Sequence, residues 1–300
     1  MKKAIFVLLA GISFTACQQN EAPKETSDEL KKDSTSAETT VLKEEKEPTL
    51  TLLWETDTIL TTNESVLYDK EGDRLFVSNI EGDPKEKDGR GFISILNTDG
   101  SVQELKWATG LDAPKGMGIR NGILYVTNID ELVEIDLATG AIKKRHKVRG
   151  ATFLNDVAIG PGKVYFSDTR KGKLHVLEGG DVKEEMTQIK DLNGVYFDGK
   201  DLFGLDAVGL RHYPLNADPV ETLNSEVTGG DGLVKIDDHT WLASRWEGQV
   251  FIIQDGVATK LLDSKAEGLQ TADIGYIPEQ KLVLIPRFFG NKVSAYKLSY

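Results

Sequence analysis

One cysteine in 300 residues, Cys17, rules out an intrachain disulfide, so packing must hold the fold together. No apolar run approaches the roughly 20 residues that a membrane-spanning helix needs; the run Ala4–Phe14 stops well short. Positive charge is also scarce: 36 Lys and Arg against 48 Asp and Glu give a net charge of −12, which argues against nucleic acid as a partner. The four histidines (His146, His175, His212 and His239) are scattered with no H-E-x-x-H, which excludes that class of zinc protease. There is no G-x-S-x-G elbow, no P-loop and no G-x-G-x-x-G, so the usual serine-hydrolase, nucleotide and dinucleotide sites are missing as well. Long helical periodicity is absent too.

What the N-terminus does contain is a processing pattern. Lys2 and Lys3 precede the apolar run, and Thr15-Ala16-Cys17 supplies small residues before the cysteine. This run resembles the lipobox of bacterial lipoproteins, although Phe14 is a less usual residue three before the cysteine. The resemblance implies a signal peptide over 1–16 and acylation of Cys17; an ordinary secretory signal is the alternative. Residues 17–49, rich in Glu, Lys, Ser and Thr, cannot bury enough apolar surface to offset their ordering entropy and read as a disordered tether. The expected location is the cell envelope, lipid-anchored at the outer membrane. Membrane contact is expected through the Cys17 anchor only, and the chain is expected to be a monomer.

From residue 50 to 300 short apolar stretches alternate with Gly, Asp and Asn clusters, the pattern of an all-β fold. One strand signature recurs: Leu75-Phe76-Val77-Ser78-Asn79, Leu124-Tyr125-Val126-Thr127-Asn128, Val164-Tyr165-Phe166-Ser167-Asp168, Leu202-Phe203-Gly204-Leu205-Asp206, Thr240-Trp241-Leu242-Ala243-Ser244 and Leu282-Val283-Leu284-Ile285-Pro286. Counted between their second residues, the steps are 49, 40, 38, 38 and 42, each close to one four-stranded propeller blade. Six copies predict a six-bladed β-propeller. The C-terminus is one outer strand short, so a strand at 51–55 is expected to complete the last blade and hide its open edges.

Ten residues before each signature aromatic, or its equivalent, stands a polar residue: Lys115, Asn155, Asn193, Asp231 and Asp273. In the first copy a longer turn moves this position back to Glu64. If each begins an innermost strand, six polar groups face one another at the channel. Any one of them is explained by the turn preference of Asn and Asp, but six in equivalent places point to a site. Converging carboxylates and amide oxygens suit one hard divalent cation, with Ca²⁺ the expected ion. Lys115 could instead neutralise the ring in part.

The stretches Asn63-Glu64-Ser65-Val66, Leu154-Asn155-Asp156-Val157-Ala158, Leu192-Asn193-Gly194-Val195 and Asp231-Gly232-Leu233 resemble the metal-site motifs of the SMP-30/gluconolactonase family. That resemblance implies a cation held by Glu64, Asn155, Asn193 and Asp231, with Asp231 as catalytic base in hydrolysis of a lactone or similar ester. A small-molecule ligand in the central channel is the implied partner. The sugar-lactone members carry an Arg two residues before the first Asn; Phe153 stands there, and with Lys115 and Asp273 it is a possible substrate contact. Asp156, Asp168, Asp206, Arg245 and Trp246 are candidates for the pocket mouth. A non-catalytic binding propeller with a structural metal is the alternative reading.

Overall fold

The computed structural model describes residues 47–216 and 218–300. Cys17, the signal peptide and nearly all of the tether lie outside the described residues. Six four-stranded antiparallel sheets follow one another along the chain. The first comprises Asn63–Asp69, Arg74–Asn79, Gly91–Asn97 and Val102–Leu111. The innermost strands of the next five are Pro114–Arg120, Leu154–Gly160, Val195–Phe197, Leu233–Lys235 and Gly275–Ile277. The protein is a six-bladed β-propeller. Its closure is the expected one: Thr49–Glu55 pairs antiparallel with Val293–Ser299 as the fourth strand of the last blade. Lys292 and Ser294 fasten that seam by bonding the Glu55 carboxylate at 2.7 and 2.6 Å.

The apolar runs of the second strands are explained by burial on both faces between neighbouring blades. Phe76 packs with Leu124 and Val126 of blade two, while Leu75 and Val77 pack with Leu282 and Leu284 of blade six. The same alternation continues round the ring, giving six interblade cores. Outer strands face solvent and carry charge, as in Lys143-Lys144-Arg145.

Two blades depart from the expected alignment. In blade five Leu242, not Trp241, turns toward the following blade, and in blade six Leu282 and Leu284 do so, not Val283. In blade five a hairpin one residue longer cancels the slip, since Val234 pairs with Leu242 while Tyr196 pairs with Phe203. Asp231 therefore keeps its place. In blade six nothing cancels it, and this decides where Asp273 goes.

Candidate functional site

Each of the first three inner strands begins with a register shift, between Asn63 and Val66, Pro114 and Met117, and Leu154 and Val157. A bulge of this kind re-aims the extra residue, and here the shifted positions hold Glu64, Lys115 and Asn155. In blades one, three and five a repeated bond fixes the residue that follows the ring position: the amides of Ser65, Asp156 and Gly232 donate to Ser78, Ser167 and Ser244 Oγ at 2.8–2.9 Å. Glu64, Lys115, Asn155 and Asp231 are all buried, and Asn193 is half-buried.

Lys115 Nζ lies 4.0 Å from Glu64 Oε1. Asn193 Nδ2 donates to Asp231 Oδ1 at 2.7 Å, and Asn155 Nδ2 to Thr169 Oγ1 at 3.4 Å. Burial pushes the Glu64 carboxyl well above its usual range against the pull of Lys115, and Asp231 and Asp273 push it the same way. Asp231 is raised to about 6, first by burial, with Lys115 and the Asn193 amide opposing. Burial lowers the Lys115 ammonium while Glu64 and Asp231 support it. The mouth thus holds two carboxylates and one ammonium withdrawn from water.

Asp273 is not on this level. It bridges in parallel to Ser65 and accepts that residue's hydroxyl at 2.5 Å, so it stands one residue deeper than Glu64. The backbone oxygen of Ala272 accepts Ser244 Oγ, as that of Asn155 accepts the Thr127 hydroxyl. Ala272 holds the ring place in blade six, a consequence of the uncancelled slip. Asp156 joins Asp273 at the deeper level and accepts the amides of Val157 and Val195, each at 2.7 Å. Burial first, then the neighbouring Asp273, raises Asp156 well above the carboxylate range. Asp273 is raised to about 7 by burial, with Ser65 opposing and Asp231 adding to the rise.

Phe153 packs between two cations, with Lys115 Nζ 4.6 Å and Arg170 Cζ 4.3 Å from its ring centre. Arg170 carried no spacing signal, because it reaches Phe153 from the turn after a different strand. The other mouth candidates have structural work. Asp168 accepts turn amides, and Asp206 binds Tyr213 Oη at 2.7 Å and two loop amides. Arg245 staples the loop at Glu226 and Thr228. Trp246 is exposed and meets Phe288 and Phe289 edge-on.

Among the described residues no three His, Cys, Asp or Glu side chains come together to hold a metal. A cation would rest on the mixed set of two carboxylates and two amides. The donor chemistry fits a hard cation, because Glu64 Oε2 and Asn193 Oδ1 are buried and accept no hydrogen bond.

Solved structures share this architecture. A catalytically inactive virginiamycin B lyase from Staphylococcus aureus, solved with quinupristin, matches with a TM-score of 0.57 and 11% identity, over 84% of this chain and 100% of that one. A calcium-binding protein, regucalcin, from Agrobacterium tumefaciens matches with a TM-score of 0.57 and 16% identity, over 82% of this chain and 95% of that one. Selenomethionine-substituted virginiamycin B lyase from Staphylococcus aureus gives 0.58 and 12%, over 84% and 100%. At these identities the likeness is one of fold. No family model and no curated protein matches the chain.

Proposed function

We propose that the channel mouth holds one divalent cation, calcium, on Glu64, Asn155, Asn193 and Asp231, and that the protein hydrolyses a lactone or similar ester there. The observation that carries this reading is the pair of unpartnered buried oxygens, Glu64 Oε2 and Asn193 Oδ1. A buried acceptor without a donor is costly, and a cation removes that cost. The regucalcin neighbour is a calcium-binding protein, which agrees with the choice of ion.

When bound, the ion supplies Lewis acidity toward the ester carbonyl. Asp231 serves as base, taking a proton from the attacking water as its oxygen bonds to the carbonyl carbon; the proton then passes to the alkoxide released by C–O cleavage. Asn193, bonded to Asp231 Oδ1 at 2.7 Å, fixes the carboxylate's direction. Phe153 occupies the place where a sugar-binding Arg would stand, which favours a less polar acyl or ring portion. Anchoring in the cell envelope through Cys17 belongs to the same proposal; labelled palmitate traced to that residue tests it.

The Lys115 ammonium favours a second reading, because it already offsets part of the ring's charge. The protein would then be a binding propeller with a structural ion and no turnover. Asp231→Asn separates the two. On the hydrolase reading, turnover across a lactone and ester panel falls by roughly a hundredfold or more while fold and calcium binding persist. If calcium-loaded wild type hydrolyses nothing in the panel, the hydrolase reading is lost.

A further inference from the structure

We propose that the half of the channel beyond the ring is a separate binding chamber for a small organic cation with an apolar body. A cavity of about 460 Å³ lies along the later residues of all six inner strands, within the volume range of small-molecule sites. Glu64, Lys115, Asn155, Asn193 and Asp231 are not in its lining, while Ser65, Asp156 and Asp273, the next level down, are. Every inner strand starts at the ring, so the chamber lies on the opposite side of the ring from the proposed hydrolytic site.

Its walls are aliphatic and aromatic: Met117, Ile119 and Val157 on one side, Tyr196, Phe197 and Tyr276 on another. Its charges are sorted along the axis. The inner end carries Asp156 and Asp273, whose hydrogen-bond partners among the described residues are all neutral: Ser65 Oγ and the amides of Val157 and Val195. The one lysine in the lining, Lys235, closes its strand at the outer end and is engaged by Asp238 at 3.1 Å and Asp198 at 3.7 Å. An apolar tube whose lining carries carboxylates and no cation at its inner end matches an ammonium group carried on an apolar body, and aromatic faces add to that attraction. A carboxylate-bearing ligand is opposed by the same arrangement.

The test uses calorimetric titration of the full chain at about pH 8.5, above the value of about 7 to which burial raises Asp273, and in excess EDTA, which removes any dependence on the ion at the mouth. The probes are 2-phenylethylamine, its neutral isostere 2-phenylethanol, and 3-phenylpropionate. The amine should bind at least roughly tenfold tighter than the alcohol, the gap expected of one charge-assisted contact, and the carboxylate should not bind. Asp273→Asn should erase most of the preference for the amine. Ile119→Arg, at a half-buried wall position nearer the opening, should weaken amine binding while sparing the alcohol more, and it covers the case in which the Asp273 variant fails to fold. Equal binding of amine and alcohol, better binding of the carboxylate, no binding by any probe, or an unchanged preference in the folded variants would each overturn the proposal. None of these outcomes bears on lactone hydrolysis, which is read separately with calcium present.

Discussion

Lys115 and Glu64 form an ion pair at 4.0 Å in which both side chains are almost wholly withdrawn from water. At that separation the ammonium is near enough to offset the carboxylate and too far to hydrogen-bond it well. Glu64 Oε2 is left with no donor. The pair therefore neutralises the ring in part and leaves acceptor capacity at the same spot.

This makes Lys115→Met act in opposite directions with and without calcium. Without the ion, Glu64 and Asp231 lose their counter-charge, and stability should fall by about 3–5 kcal/mol, as when one partner of a buried pair is removed. With the ion, a competing positive charge is gone, and calcium should bind at least roughly tenfold tighter. Melting scans in EDTA and in calcium, with calorimetric titration, read both effects. A variant that melts like wild type in both conditions would show that Lys115 does not compete for the site.

The raised carboxyls set a pH dependence whose sign can be worked out. Asp231 near 6 and Asp273 near 7 hold protons that the unfolded chain, with carboxyls near 4, has already released. Their contribution to stability is present below about pH 4 and is lost as pH rises through 6 and 7. The melting temperature of the calcium-free protein should therefore fall more steeply over that window in wild type than in Asp273→Asn. Calcium should flatten the wild-type slope, because a bound cation favours the ionised form of Asp231. Equal slopes for the two proteins would contradict the burial of an ionisable Asp273.

The blade count, the ring closure and the place of Glu64, Asn155, Asn193 and Asp231 at or just before the inner strands were legible in the sequence, because each rests on a local pattern repeated at blade spacing. Asp273 was misplaced for a physical reason. Counting back from Val283 assumes that the same residue of each signature strand faces the next blade, but in blade six Leu282 and Leu284 do. In an all-aliphatic strand such as Leu282-Val283-Leu284-Ile285, buried on both faces, alternation cannot distinguish the two faces. Arg170 was illegible for another reason: its contact with Phe153 is between loops, and no period connects them.

Phe153 gives a prediction that runs against simple family analogy. Replacing it with Arg restores the residue that resemblance to sugar-lactone hydrolases would place there. Here the ring is already flanked by Lys115 and Arg170, so a third cation joins two others with only Glu64 and Asp231 to offset them. Phe153→Arg should lower the melting temperature and confer no sugar-lactone turnover. Combining it with Lys115→Met should recover most of the lost stability, a non-additivity expected of charges in contact. Sugar-lactone hydrolysis by the single variant would show that Phe153 alone sets the preference.

Gly194 tests how tightly the ring depends on blade contact. A Cβ there would meet the Asp231 backbone oxygen at 2.2 Å and the Leu233 side chain at 3.2 Å. The first clash is with backbone, which cannot rotate away, so Gly194→Ala must push blades four and five apart. The Asn193–Asp231 bond spans that same gap. Overpacking of this kind costs about 1–3 kcal/mol, and calcium affinity should fall with it, because two of the four proposed ligands separate. Gly118→Ala is the comparison: the nearest atoms to its added Cβ belong to the side chains of Ile159 and Val157, at 2.7–2.9 Å. It should cost stability through repacking while leaving calcium affinity close to wild type. Titrating calcium into both variants reads the difference, and equal loss of affinity in the two would mean that the ring responds to general loosening of the channel and not to the contact between blades four and five.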